Sequence, residues 1–229
     1  MKMNNKLISV IMSVFNNEKD VNDAVESILN QTYNNFEFLI MDDASEDDTL
    51  SILKNFKDKR IKLFHNEQNI GLTKSLNVLI SKSKGHFIAR QDADDLSLKT
   101  RFEDQINVLQ NKNVKACTTR AKIKNSKKII PKWSFYIPQN IAIKYKNPFI
   151  HGTLMIDKET LEKIGKYDER FKYAQDFKLF TDLINSNVKI KTLNKSLYVL
   201  NMQNNISTNK KNEQQYYADC VIRGSLPNL

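Results

Sequence analysis

The sequence predicts an α/β fold built on a mostly parallel, doubly wound sheet. Over the first 95 residues, apolar β-rich runs alternate four times with segments whose apolar residues recur at helical spacing. That is the pattern of strand–helix–strand units with right-handed crossovers. The strand candidates are nearly continuous in apolar character, as strands covered on both faces are. The second and fourth of them end in clustered aspartates, and in a parallel sheet the carboxyl ends of the strands share the edge where ligands bind.

Taken in order, residues 7–15 (LISVIMSVF) read as the first strand, with Asn16 or Asn17 placed to cap the first helix. Val21, Ala24, Val25, Ile28 and Leu29 then make one apolar helical stripe. Residues 36–41 form the second strand and end in Asp42-Asp43, and Ser45 with Asp48 resembles a capping box before a helix carrying Leu50, Leu53 and Phe56. A short strand at 61–64, a break at Gly71 and a helix marked by Leu72, Leu76, Leu79 and Ile80 lead to the strand at 87–89. The second half is less regular. It reads as a helix over 101–109, a strand over 114–123, and an aromatic group (Trp133, Phe135, Tyr136) expected in the core. His151-Gly152 precedes a strand over 153–156, and a short helix over 158–164 has Gly165 as its C-cap. Gln175-Asp176 opens a helix bearing Phe177, Phe180, Leu183 and Ile184. After Val199 the chain turns polar, with a last short helix near 216–223. These elements divide the chain into a ligand-binding half over 1–97, a second half of the same domain over 98–203, and a polar C-terminal segment over 204–229.

Bulk properties narrow the classes. With 229 residues and 40% hydrophobic content, the chain can bury one sizeable core. It contains no apolar run long enough to span a membrane and no secretory signal pattern. Cys117 and Cys220 have no metal-ligand spacing and read as free thiols of a reducing, cytoplasmic compartment. The formal charge of +10, with denser groups at 122–132, 189–195 and 210–211, suits a solvated surface, a peripheral contact with an anionic membrane, or, least well, nucleic acid. No nucleic-acid fold signature accompanies the charge.

The acids at residues 92–95 carry the chemistry. Unpaired carboxylates this close repel one another and are costly to bury without a cation. Asp92, Asp94 and Asp95 therefore read either as an oxygen-ligand site for Mg²⁺ or Mn²⁺ or as a solvated Asp-rich turn. The shared strand edge would gather Ser13 and Phe15, Asp42 and Asp43, and Asp92 and Asp94, which favours a functional cleft.

Six ordered pieces give the chain a resemblance to the family 2 glycosyltransferases. They are SVIMSVFNNE with the helix ending SILNQTY, FEFLIMDDASEDDT, NIGLTKSLN, GHFIARQDADD, HGTLMIDKETLEKIGKYDERF and AQDFKLFTDL. The resemblance covers roughly residues 7–200 and implies a GT-A-type nucleotide-sugar-binding fold with a smaller acceptor-side lobe. It implies a nucleotide held against Ser13, Phe15 and Asp43, with ordinary core packing as the alternative for Phe15. It also implies Asp94 as ligand of the divalent cation and Asp92 contacting ribose or a metal-bound water, while Asp95 is read as a cap for the next helix. Asp176 matches the family's catalytic base, with helix capping as its alternative, and Gln175 stands where the family usually has Glu. His151 and Gly152 fall on the acceptor side. The implied activity is inverting, metal-dependent transfer from a nucleotide-sugar, UDP-linked, to a glycan or lipid-linked acceptor in surface polysaccharide synthesis. Competing readings are a transferase-like binding protein, motivated by Gln175, and a sugar nucleotidyltransferase, which would need a glycine-rich loop that residues 13–17 lack.

Overall fold

The computed structural model describes residues 6–202 and 210–228. Its centre is one large mixed sheet. The first half contains β1 (Ile8–Val14), β2 (Phe36–Asp42), β3 (Ile61–His65) and β4 (Phe87–Arg90), all parallel and ordered β3-β2-β1-β4. Beyond β4 the sheet continues through β8 (Met155–Asp157), β6 (Ala116–Ile123), β9 (Ile190–Leu200) and the two-residue β5 (Leu96–Ser97), while β7 (Ile129–Ile130) pairs with β6. Only β5, β7 and β8 run against the others, so the predicted α/β fold with a mostly parallel sheet is what forms.

Strand alternation sends successive side chains to opposite faces, and this produces two apolar layers. Val10, Met12, Phe38 and Ile40 face α1 (Val21–Leu29), α2 (Thr49–Asn55) and α4 (Arg101–Leu109). Ile11, Leu39 and Met41 face α3 (Leu72–Lys82), α7 (Gln175–Asn185) and the C-terminal helix Lys211–Arg223. Burying a residue such as Phe180, Leu79 or Phe102 contributes about 1.5–3 kcal/mol relative to leaving it exposed. Two short helices, α5 (Gln139–Ala142) and α6 (Lys158–Lys163), complete the second half. No helix among the described residues is long and apolar enough to cross a membrane.

Several local expectations change. α1 begins after Asp20, and Asn17 contributes its backbone carbonyl, not its side chain, to Val21 N–H. The Ser45–Asp48 capping box does not form: Ser45 Oγ accepts from Asn16 N–H, and Asp47 accepts from Thr49 N–H at the start of α2. Residues 151–153 make a 3-10 turn, so β8 starts later than predicted. The last helix starts five residues earlier than its sequence pattern suggests, at Lys211. Part of the polar stretch after Val199, residues 203–209, lies outside the described residues. The largest correction is the aromatic group. Trp133 is 83% exposed and Tyr136 70% exposed, so neither belongs to the core.

Candidate active site at the carboxyl edge of the sheet

The parallel register brings the predicted residues of the first half to one rim. Val14 stands opposite Asp42, and Asp43 N–H donates to Val14 O at 2.8 Å, which sets Asp43 beside Phe15. On the other side of β1, Gln91 N–H donates to Ile11 O at 3.1 Å, so the chain leaves β4 toward Asp92 along the same edge. Phe15 is 46% exposed, which removes core packing as its role and leaves its ring open to solvent at the rim. Ser13 is partly buried.

Asp43 is buried, and its carboxylate gathers the start of α3. Oδ1 accepts from Asn66 Nδ2 at 2.7 Å and Ile70 N–H at 3.1 Å, and Oδ2 accepts from Gly71 N–H at 2.8 Å. Two carboxylate oxygens offer about four acceptor directions, of which the described residues use three. Left-handed backbone clusters around these positions: Asn16 follows Phe15, Ala44 follows Asp43, and Ala174 precedes Gln175, at φ 50°, 65° and 52°. For alanine this conformation is uncommon and costs of order 1 kcal/mol or more, and such strain concentrates at functional sites.

The three acids after β4 are not a solvated turn. Asp95 is buried and, contrary to expectation, caps no helix: its carboxylate accepts Asn201 N–H at 2.6 Å and bonds the Tyr198 hydroxyl, tying the turn to the end of β9. Burial and the charges of Asp92 and Asp94 push its pKa up to about 9. Asp92 Oδ1 accepts from Arg90 Nη2 at 2.6 Å, and Asp92 N–H donates to Tyr198 Oη at 3.1 Å. Asp94 is partly buried, and no donor from another described residue reaches its carboxylate. Burial and then the Asp92 charge raise its pKa to about 6. Beneath the acids lie two fully buried guanidinium groups. Arg101 Nη1 donates to Gly152 O at 2.6 Å and Arg90 O at 3.0 Å, while Arg90 also donates to Gln91 O. Burial lowers the Arg101 pKa to about 10, and three of the buried guanidinium nitrogens have no partner among the described residues.

This arrangement fits a divalent cation. No three His, Cys, Asp or Glu among the described residues form a complete cation site. Sites for Mg²⁺ and similar ions, however, use one or two carboxylates and take the remaining ligands from substrate phosphates and water. Asp94, whose ionised form is disfavoured by burial and by the Asp92 charge and which has no partner among the described residues, could hold such an ion; Asp92 is already shared with Arg90.

The second half closes on the same place. A Cβ at Gly152 would lie 2.2 Å from Tyr198 Oη and 2.6 Å from Asp92 Oδ2, so the 151–153 turn packs directly on the acid turn and only glycine fits. His151 Nε2 lies 2.6 Å from Tyr167 Oη. Burial and nearby Arg90 lower the His151 pKa to about 4, so the imidazole is neutral at pH 7. The charges of Asp92 and Asp176 both bear on the ionisation of His151 and of Tyr167. Asp176 does not cap α7. The capping position is Ala174, without a side-chain bond, and Asp176 Oδ2 instead accepts from Asn147 Nδ2 at 2.7 Å. Gln175 is buried. Sequence reasoning missed Arg90, Arg101, Asn147 and Tyr198. Only Arg90 carried a signal, as a charge at the end of an apolar strand.

Gly152→Ala tests the contact between the two turns. Tyr198 is fully buried and cannot yield freely, so the variant should lose about 1–3 kcal/mol of stability by overpacking and bind nucleotide more weakly. Gly152→Val, with a larger side chain in the same space, should lose more of both. Denaturation and nucleotide titration of both variants check this, and a Gly152→Ala protein unchanged in both would mean that the turns do not press on each other.

The sequence profile described as Glycosyl transferase family 2 matches residues 9–165. Among curated proteins, the chain is 32% identical over 202 residues to the putative glycosyltransferase EpsE of Bacillus subtilis, covering 83% of this chain and 71% of that protein. It is 32% identical over 225 residues to an Escherichia coli protein, UDP-Glc:alpha-D-GlcNAc-diphosphoundecaprenol beta-1,3-glucosyltransferase WfgD, covering 96% of this chain and 87% of that one. Among solved structures, S. aureus TarS 1-349 in complex with UDP superposes with a TM-score of 0.75 at 23% identity, covering 94% of this chain and 64% of that one. A mannosyltransferase from Pyrobaculum calidifontis in complex with GDP-Man and Mn²⁺ gives 0.74 at 18% identity, over 96% of this chain and 65% of that one. At these identities the structures speak for the fold, and this chain spans just under two thirds of each. With the profile matching more than half of its length, the chain belongs to glycosyltransferase family 2.

Proposed function

We propose that this protein transfers a sugar from a UDP-linked donor to a hydroxyl of a lipid-linked glycan, with inversion at the anomeric carbon. The observation that carries the reading is the position of Asp176: it is oriented by Asn147, and its charge acts with that of Asp92 on the His151–Tyr167 pair. Donor and lipid-linked acceptor are taken from the names of relatives such as the E. coli glucosyltransferases, and a UDP-GlcNAc complex of S. aureus TarS supports the same donor class.

In this reading Phe15 offers its exposed ring to the nucleotide base, Asp43 accepts from it with its remaining lone pair, and Ser13 lines the same wall. Asp92 meets the ribose, and Asp94 would hold Mn²⁺ or Mg²⁺. When bound, the cation supplies Lewis-acid compensation for charge building on the departing diphosphate. Asp176 takes the proton from the acceptor hydroxyl as that oxygen bonds the anomeric carbon and the carbon–oxygen bond to UDP breaks on the opposite side. Asn147 ties up one carboxylate oxygen and aims the other, which is how a side chain is pre-organised as a general base. His151, neutral and bonded to Tyr167, lines the acceptor side without adding charge.

The test is release of nucleoside diphosphate from UDP-glucose, UDP-GlcNAc and GDP-mannose in the presence of Mn²⁺, with and without a diphosphate-lipid-linked glycan acceptor. A UDP-sugar should turn over, faster with acceptor. Tight UDP-sugar binding with no turnover under any acceptor would instead make the protein a binding module.

A further inference from the structure

We propose that the exposed face of residues 127–146 docks on an anionic phospholipid bilayer. Residues 105–156 contain nine lysines and Arg120 but no Asp or Glu, while the other 26 basic residues match the 26 acidic ones. The whole formal excess of +10 therefore resides in this one stretch. Lys127, Lys128, Lys132, Lys144 and Lys146 are exposed, and none takes part in an ion pair among the described residues.

Large apolar side chains stand out among these lysines. Trp133 and Tyr136 are joined by Tyr145, 75% exposed, and by the exposed Ile137 and Ile141. The segment is held from beneath: Ala142 and Ile143 are buried, Arg120 lies over the Phe135 ring at 5.1 Å, and Gln139 Nε2 donates to Thr192 Oγ1 at 3.2 Å. Outward-facing aromatics on an anchored segment, set among unpaired lysines, are the composition that binds a membrane surface. Tryptophan and tyrosine seat an apolar body and a polar tip at the headgroup boundary, and lysines meet the anionic leaflet. Ile137 and Ile141 offer no ring for a base to stack on, which favours lipid over single-stranded nucleic acid.

The segment runs directly into Asn147, the partner of Asp176. A bilayer docked here would present lipid-linked hydroxyls to the acceptor side; that consequence rests on the proposed function, whereas the docking does not.

Trp133 is the sole tryptophan, so emission excited selectively from tryptophan, and not from the eight tyrosines, reports this face alone. Titration with vesicles of phosphatidylglycerol and phosphatidylcholine should shift the emission to the blue and sediment the protein, and vesicles of phosphatidylcholine alone should do neither. Each lysine near an anionic leaflet strengthens binding about fivefold, so Lys127→Gln/Lys128→Gln/Lys132→Gln should weaken partition by about a hundredfold. Lys144→Glu/Lys146→Glu should act in the same direction. Thermal unfolding and UDP affinity of both variants should match wild type, since none of these lysines touches the site. Equal response to neutral and anionic vesicles, or wild-type partition of the triple variant, would overturn the proposal. So would an oligonucleotide that binds this face and displaces the vesicles. Transfer to a detergent-solubilised acceptor separates the two readings. Activity there without vesicle binding removes the membrane surface alone; vesicle binding without any transfer supports the surface and removes the transferase reading alone.

Discussion

Asp176→Asn is expected to lower transfer to the acceptor by about 10²–10⁴-fold, because an amide cannot take the hydroxyl proton. The same variant should keep metal-dependent UDP affinity and nearly all of its stability. Asn can still accept from Asn147 Nδ2, and no capping bond is lost, since Asp176 makes none in α7. What disappears is a negative charge in the first turn of the helix, a loss of about 0.3–1 kcal/mol. Asp176→Ala removes the Asn147 partner as well and should cost somewhat more stability with the same loss of transfer. Steady-state transfer, a UDP titration and thermal unfolding of both variants decide the matter. An Asn variant that transfers sugar at the wild-type rate would end the assignment of Asp176 as base.

Asp94→Asn is expected to abolish the part of UDP affinity that depends on Mn²⁺ while leaving the fold as stable as wild type or more so. The sign comes from the surroundings of the carboxylate. Burial and the Asp92 charge raise the Asp94 pKa to about 6, so the folded state holds its proton more tightly than the unfolded chain. At neutral pH the ionised carboxylate therefore opposes folding, and neutralising it relieves that cost. Asp92→Asn should behave differently. It weakens the bond from the buried Arg90 guanidinium, and losing a hydrogen bond to a charged group costs about 1.5–3 kcal/mol. Isothermal titration with UDP, with and without Mn²⁺, together with denaturation of each variant, separates a ligand from a structural acid. Unchanged metal dependence in Asp94→Asn would remove Asp94 from the cation.

The parallel half of the sheet was legible from sequence because periodicity is local. Continuous apolar runs at 7–15 and 36–41 mark strands covered on both faces, and the helical stripe from Val21 to Leu29 marks what covers one of them. Once those strands are parallel, chain direction alone puts Phe15, Asp43 and Asp92 on one rim. The family-like pieces added Asp176 and the 151–152 turn as expectations; the fold packs that turn on the acids at the rim and bonds Asp176 to Asn147.

Tertiary structure decided which partners each acid meets. Asp95 resembles its neighbours in sequence, yet it meets Asn201 and Tyr198, residues about a hundred positions away, and becomes a buried tie. Asp92 is set against Arg90, leaving Asp94 as the carboxylate without a partner among the described residues. Asn147 reaches Asp176, and Arg101 reaches Gly152, across gaps that no local pattern spans. The same limit explains Trp133 and Tyr136: composition assigns large aromatic rings to a core, but whether a layer exists to cover them depends on where α5 docks. Apolar spacing along a strand or helix specifies which face turns inward. Hydrogen bonds between charged groups are specified only by chain segments meeting in space, so the partners of the polar residues were settled by the packing of the second half on the first.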